Sequence, residues 1–173
     1  NDNLGGITLN GQAIASNRLT LSLVNGNPSP TPIEGQPTTE ITNTLTGPFN
    51  NMGVPGAKSF HLLANGYGNL AGVSAGQANP YFVRFRSSEN ASVIEDAVAQ
   101  NPTFFSLWIG NNDVLSYATS GGVGENQLGN LDPTTYGSND ITDPNVFASV
   151  YAQEVEALMA SASAGVLLNI PNV

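Results

Sequence analysis

The fold of this chain depends on one stretch, Thr103-Phe104-Phe105-Ser106-Leu107-Trp108-Ile109-Gly110-Asn111-Asn112-Asp113. Its first seven residues are almost continuously apolar, which predicts a strand covered on both faces, as in a parallel sheet. Trp108 is then expected to be a core residue. Gly110 begins a polar turn that ends the strand, and residues 114–118 predict the beginning of a helix. The stretch therefore predicts a strand, a turn and a helix, in that order.

A second helix and strand are predicted downstream. Asp143 is expected to be an N-cap, with Pro144 at the first helical position. Apolar residues recur at helical spacing over residues 147–159. Gly165 is expected to end this helix, and residues 166–170 predict the next buried strand. Two apolar strands joined by a helical crossover form a βαβ unit, so the expected fold is α/β, with a mostly parallel sheet and helices on both faces.

Residues 1–48 are expected to form an irregular insertion that contains β structure. The alternation over Leu19–Val24, followed by Asn25-Gly26, predicts a strand and a turn. Prolines at positions 28, 30, 32 and 37 exclude a long helix after that turn. The β-branched residues among 38–46 predict an edge strand.

The middle of the chain predicts two shorter helices. One is expected to begin near Ala57, and the other has Ser88 as its expected N-cap and ends at Asn101-Pro102. Residues 119–142 are rich in Gly, Asn and Asp, which predicts a long surface loop. No linker is evident, so residues 1–173 are interpreted as a single domain.

Composition argues against several classes of function. The 173 residues include 13 Asp and Glu against 4 Lys and Arg, for a net charge of −9, which argues against binding to nucleic acid or an anionic membrane. No apolar run approaches the roughly 18 residues of a transmembrane helix. Without cysteine there is no disulfide, thiolate nucleophile or cysteine-ligated metal. No cofactor or metal is expected, since Asp132, Asp140 and Asp143 lack EF-hand spacing and suit helix capping and solvation better.

Two loops could carry chemistry. Ligands of open α/β sheets bind at the carboxyl ends of strands. Two segments each follow a predicted strand and precede a predicted helix: residues 51–57 (Asn-Met-Gly-Val-Pro-Gly-Ala) and residues 110–113 (Gly-Asn-Asn-Asp). Glycine allows close approach of the backbone to a ligand, and an Asn amide donates to an oxyanion without carrying charge. The same residue types are also ordinary in turns, so a purely structural strand-to-helix turn is the alternative.

These loops resemble two blocks of the SGNH (GDSL-type) hydrolases. Residues 110–113 are similar to the third block, Gly-x-Asn-Asp, and residues 51–57 are similar to the second block, in which an Asn precedes a glycine-bearing loop. The resemblance covers roughly residues 49–173. The first 48 residues carry no motif of the family and are interpreted as an insertion peculiar to a bacterial, Bacteroidetes-like branch. The resemblance implies a flavodoxin-like three-layer α/β/α fold and hydrolysis of carboxylic esters by a serine nucleophile.

The resemblance also implies roles for particular residues. The Gly56 backbone N–H and the Asn112 side-chain amide would be oxyanion-hole donors. Asn51, Gly53 and Gly110 would support the two loops, and Asp113 would brace its loop rather than take part in chemistry.

Two blocks of the family pattern are missing. No serine lies in a Gly-Asp-Ser context, and His61 is preceded three residues earlier by Lys58 rather than by the Asp of an Asp-x-x-His block. The nucleophile is therefore expected upstream of Asn1 and the catalytic His downstream of Val173. The expectation is an incomplete SGNH-like domain that is inactive as an isolated chain.

The resemblance implies a general substrate class and a cellular location. A small ester, a lipid or an acylated carbohydrate is the expected substrate class, in a secreted or cell-envelope protein of a bacterium. The chain could pair with the rest of a cleaved polypeptide or form a homo-oligomer, because an incomplete sheet exposes strand edges. The alternative function is non-catalytic binding of carbohydrate or a surface on the same scaffold.

Overall fold

The computed structural model describes residues 3–170 and shows a mixed α/β chain. Its strands are β1 (Ile7–Leu9), β2 (Gln12–Ala15), β3 (Leu19–Val24), β4 (Asn27–Pro32), β5 (Phe104–Leu107) and β6 (Ala164–Leu167). Its α-helices are α1 (Pro80–Val83), α2 (Val93–Val98), α3 (Asn111–Thr119) and α4 (Pro144–Met159). Short 3₁₀ helices span Ser59–Leu63, Leu70–Gly72 and Pro133–Thr135. Among these helices, none has both the length and the apolar character needed to cross a membrane.

The predicted parallel strand pair is confirmed, but the prediction that its second strand is buried is wrong, because all four residues of β6 are exposed. β5 and β6 run parallel, with Phe104 opposite Ala164 and Leu107 opposite Leu167. The connection between them contains α3 and α4, as the βαβ pattern requires. Below this pair, α2 and α4 pack on the same buried cluster as Phe105 and Leu107. The predicted strand, turn and helix around residues 103–119 therefore hold at the level of element type and order.

The sheet is smaller than the predicted mostly parallel sheet. Within residues 3–170 there are three two-stranded sheets, of which β1–β2 and β3–β4 are antiparallel and only β5–β6 is parallel. The prediction of coverage on both faces of β5 is wrong. Phe105 and Leu107 are buried, whereas Phe104 and Trp108 are 58% and 60% exposed. Trp108 is thus not a core residue, because the described helices cover the opposite face of the strand.

Helix caps decide where the helices begin. The N-cap of α2 is Ser92 rather than the predicted Ser88, because Ser92 forms a capping box with Glu95. Ser92 Oγ accepts the Glu95 N–H at 3.2 Å, and Glu95 Oε2 accepts the Ser92 N–H at 2.7 Å. The predicted cap of α4 is confirmed, since Asp143 accepts the N–H groups of Asn145 and Val146. The prediction that Gly165 ends α4 is wrong. The helix ends at Met159, and Gly165 lies within β6.

The N-terminal region consists of two hairpins and a small second core. The predicted strand at Leu19–Val24 and its turn are confirmed as β3 and the tip of a hairpin. The edge strand predicted for residues 38–46 is reduced to one bridge, between Thr8 and Glu40. Ile7 and Ile41 pack with Val83 of α1 in a cluster of buried residues, which ties this region to the middle of the chain.

Candidate functional site

The two predicted loops meet at the carboxyl end of β5. Asn112, in the first turn of α3, donates its Nδ2 hydrogen to the Ala57 carbonyl oxygen at 2.8 Å. The residues lie 55 positions apart, so this contact joins the two motifs that the sequence predicted separately. Asn112 is half-buried and Gly56 is exposed. The Asn112 amide therefore lies next to the residue that follows Gly56.

Both proposed oxyanion donors keep an unused N–H among residues 3–170. A primary amide has two N–H donors, and only one hydrogen bond is formed by Asn112 Nδ2. In that described range the Gly56 N–H has no partner, whereas the next N–H, of Ala57, donates to the Val54 carbonyl at 3.2 Å. Gly56 adopts φ +77°, a left-handed conformation that favours glycine.

Gly110 allows α3 to start directly after the strand. Its φ is +106°, and an added Cβ would lie 2.5 Å from Ile170 Cδ1 and 2.9 Å from Phe147 Cε2. A side chain here would have to displace the side chains of Ile170 and Phe147, and its backbone would be strained at this φ. On the other loop, Asn51 Oδ1 accepts the Gly53 N–H at 2.9 Å and closes a tight turn. Gly110, Asn51 and Gly53 thus shape the two loops through conformation and local bonding.

Asp113 points away from open space and towards the chain after Ala57. Its buried carboxylate accepts the Ser59 N–H at 2.8 Å and the Ser59 hydroxyl at 2.7 Å. Sequence reasoning missed Ser59, which no motif marks. Ser59 is fully buried, so its hydroxyl serves this contact and is not an accessible nucleophile. The Asp113–Ser59 bonds connect the 110–113 loop to the 3₁₀ helix that follows the 51–57 loop.

His61 has a structural environment. Its Nδ1 accepts the Lys58 N–H at 3.0 Å, and its ring stacks on Tyr67 with centroids 4.6 Å apart. Burial first, and then the Lys58 charge, lower the pKa of His61 to about 4. The imidazole is therefore neutral near pH 7 and accepts a backbone hydrogen bond, in keeping with its exclusion from the catalytic role. Lys58 itself is buried, with Nζ 2.7 Å from the Asp140 carbonyl oxygen, and its pKa is lowered chiefly by burial.

Glu154 is a buried acid that sequence reasoning also missed. It is fully buried in α4, and neither carboxylate oxygen has a hydrogen-bond partner among the described residues. Burial, and then the nearby Asp113 charge, raise the pKa of Glu154 to about 8. A signal was present in the sequence, because Glu154 lies four residues from both Val150 and Leu158 on the apolar stripe.

A cavity of about 1150 Å³ follows the unpaired edge of β5. Asn51, Gly53, Gly110 and Asn112 line one part of it, together with Pro55 and Ala57, whereas Gly56 and Asp113 do not line it. Its walls also include the apolar residues Leu62, Ile94, Ala97 and Leu158. The cavity therefore combines an apolar floor with backbone and amide groups near the carboxyl end of the strand.

Acidic side chains organise the loop of residues 119–142. The Asp140 carboxylate accepts the N–H groups of Glu125 and Gly137 at 2.8 and 2.7 Å, and its hydrogen bond with Glu125 is the largest cause of its lowered pKa. Asp143 accepts the Gly129 N–H at 2.7 Å, and Asp132 caps the 3₁₀ helix at Pro133–Thr135. In the described part of the chain, no group of three or more His, Asp or Glu side chains is placed to hold a metal ion.

Comparisons of the chain with protein-family models, curated proteins and solved structures found no match.

Proposed function

We propose that this chain carries the oxyanion-binding part of an SGNH-type serine hydrolase that cleaves carboxylic esters. One observation carries the proposal: the Asn112 amide contacts the 51–57 loop at the carboxyl end of β5, 2.8 Å from the Ala57 carbonyl oxygen. Strand ends of this kind bind ligands in α/β proteins. Two neutral donors with unused hydrogens, on Asn112 and Gly56, occur on the two loops that meet there.

The proposed chemistry needs these donors when the ester carbonyl is attacked. As a nucleophile adds to the carbonyl carbon, negative charge develops on its oxygen, and preformed N–H donors stabilise that charge. The bond to Ala57 holds the Asn112 amide in place before substrate binds. Asp113 acts as a positioning residue, since its contacts with Ser59 connect its loop to the 3₁₀ helix that follows the 51–57 loop.

The nucleophile and the general base are proposed to lie outside residues 1–173. The carbonyls of Thr103 and Leu107 accept hydrogen bonds from residues 163 and 168, on the β6 side. By alternation, the backbone groups of Phe104 and Ser106 face the cavity. A further parallel strand in that cavity would pair with β5, and its carboxyl end would lie near the two donors. Such a strand would carry the nucleophilic serine. It would enlarge the parallel sheet towards that of a flavodoxin-like three-layer α/β/α fold.

The proposed substrates are a small ester, a lipid or an acylated carbohydrate, in a secreted or cell-envelope protein of bacterial origin. No cofactor is required, because the reaction is an acyl transfer to serine and then to water.

The lining of the same cavity favours a second candidate, non-catalytic binding of carbohydrate. Phe49 and Trp108 line it together with Asn50, Asn111 and Asn112. Aromatic rings offer apolar faces, and amides donate and accept hydrogen bonds, which suits the hydroxyl groups of a sugar. This candidate needs no nucleophile, so reaction with a serine-directed label distinguishes it from the first.

The test uses the full-length polypeptide that contains this chain. Asn112→Ala should lower kcat for p-nitrophenyl acetate by about 10²–10³, with little change in KM, because it removes a donor that acts mainly in the transition state. Asn50→Ala is the matched control, since Asn50 is an exposed amide lining the same cavity. It should leave kcat unchanged.

Active-site labelling separates the two candidates. A fluorophosphonate should label the full-length polypeptide and should not label residues 1–173 alone, which lack the proposed nucleophile. An unlabelled full-length polypeptide that binds oligosaccharide would support the second candidate. Robust ester hydrolysis by residues 1–173 alone would contradict the proposed placement of the nucleophile.

A further inference from the structure

The hairpin of β3 and β4 exposes an apolar face. Its register places Leu19, Leu21 and Leu23 opposite Pro32, Pro30 and Pro28. Side chains of directly opposed residues lie on the same face of a sheet, so the leucines and prolines share one face. The three leucines are 61%, 78% and 74% exposed. On the opposite face, Thr31 donates to Ser22 at 2.8 Å, so the polar side chains bond to one another.

The two edges of this hairpin differ in hydrogen-bonding capacity. At its base, Ile33 donates its N–H to the Arg18 carbonyl at 3.1 Å. Alternation along an antiparallel ladder then puts the leucine–proline pairs at positions that do not bond across the hairpin. Their backbone groups point outward instead. Because proline has no N–H, the outer edge of β4 offers no donor at residues 28, 30 or 32.

The outer edge of β3 keeps its donors. The residues that point outward there are Leu19, Leu21 and Leu23, each with an N–H and a carbonyl. In the described part of the chain, β3 pairs only with β4. One edge of the hairpin is therefore closed to a further strand, and the other is open.

The open edge is complementary to itself. If a two-fold axis passes beside Leu21, an antiparallel second copy pairs Leu21 with its own Leu21, and Leu19 with Leu23 of the second copy. Each of these pairs can exchange two backbone hydrogen bonds. The leucine rows of the two copies would then lie side by side, flanked by prolines. The proline edges would end the sheet at four strands.

Charge also favours this location. Each chain carries a net charge of −9, so two copies repel each other over most of their surface. Residues 19–32 include no charged side chain. The hairpin is thus a surface where two copies can approach with little electrostatic cost.

We infer that the outer edge of β3 pairs with the same edge of a second copy, giving a two-fold symmetric dimer through a four-stranded antiparallel sheet. Sedimentation of the 173-residue chain over about 1 μM to 1 mM should show a monomer–dimer equilibrium without larger species. A monomer at every concentration would overturn the inference.

Leu21→Pro tests the edge itself. It removes an N–H that does not bond to β4, so the hairpin should persist while dimerisation is lost. Leu21→Thr keeps the N–H and removes the apolar side chain, so it should still dimerise. Circular dichroism melts identify any variant that fails to fold. If folded Leu21→Pro still dimerises, the two copies associate through another surface. If folded Leu21→Thr no longer dimerises, association depends on the leucine side chains rather than on backbone pairing.

Three further variants test the symmetry and the closed edge. The chain has no cysteine, so mild oxidation of Leu21→Cys should give a crosslinked dimer, while Gly26→Cys at the hairpin tip should not. A variant that combines Pro28→Leu, Pro30→Leu and Pro32→Leu restores the three outward N–H groups of β4 and should produce species larger than the dimer. Equal crosslinking of both cysteine variants, or a folded variant of this kind that remains dimeric, would contradict the proposed arrangement.

Discussion

Glu154 shows how one residue can make stability depend on pH. Its carboxyl group is fully buried, has no hydrogen-bond partner within residues 3–170 and lies near the Asp113 charge. Both features disfavour ionisation, which is why its pKa is raised to about 8 from 4.5. The folded chain therefore keeps a proton at neutral pH that the unfolded chain releases. Raising the pH through this interval favours unfolding.

We expect Glu154→Gln to remove this pH dependence. Between pH 4.5 and about 8, the free energy of unfolding of the unsubstituted chain should fall relative to the variant, at most by about 1.4 kcal/mol per pH unit. Urea denaturation at a series of pH values measures the difference. Glu156→Gln, on the exposed side of the same helix, should leave the slope unchanged. Parallel profiles for Glu154→Gln and the unsubstituted chain would contradict the buried-proton interpretation.

At the scale of elements, capping sets the boundaries of the short helices. α2 spans only Val93–Val98, so its start relies on the reciprocal bonds between Ser92 and Glu95. Ser88 was the predicted cap because it precedes the apolar spacing. Ser92 takes that place because a Glu stands three residues after it, and none stands at that spacing after Ser88.

We expect Ser92→Ala to destabilise the fold by about 1 kcal/mol, because the Glu95 N–H loses its acceptor. Ser88→Ala is the matched control, since Ser88 is an exposed serine with no side-chain bond in the described structure. It should change the free energy of unfolding little. Chemical denaturation of both variants makes the comparison, and equal effects would show that the capping box contributes nothing measurable.

At the scale of the whole molecule, β5 is covered on one face and β6 on neither. Phe104 and Trp108 lie exposed on the other face of β5, and all four residues of β6 are exposed. The unpaired edge of β5 borders the cavity. The described part of the chain thus forms one helical layer and part of a sheet, in keeping with the proposal that a further strand pairs with β5.

The single tryptophan reports on that proposal. In residues 1–173 alone, Trp108 fluorescence should be quenched readily by acrylamide, because the ring is 60% exposed. In a longer polypeptide that supplies the proposed strand, that strand and the elements that follow it should shield the ring and reduce quenching several-fold. Equal quenching in both proteins would argue against coverage of this face.

Much of the local structure could be predicted from the sequence. The apolar run at 103–109, the Asp143-Pro144 cap and the Asn25-Gly26 turn each depend on neighbours within a few residues, so pattern and propensity suffice. The prediction of an edge strand at residues 38–46 was wrong because strand formation depends on a distant partner rather than on neighbouring residues. β-branched residues permit pairing, but a strand forms only where a partner is available along its length, and here only Thr8 meets Glu40.

By itself, the sequence determined the types of most elements and the parallel strand pair joined by helices. It also determined the acidic, cysteine-free composition, which excludes cysteine nucleophiles and cysteine-ligated metals. Tertiary structure alone decided that Asn112 meets Ala57, that Asp113 bonds to Ser59 and that Glu154 lies buried near that carboxylate. It also decided that β5 has one covered face. Contacts between residues some 50 positions apart depend on how whole elements pack, which no local pattern encodes. A candidate site built from two loops therefore becomes visible only when those loops are brought together.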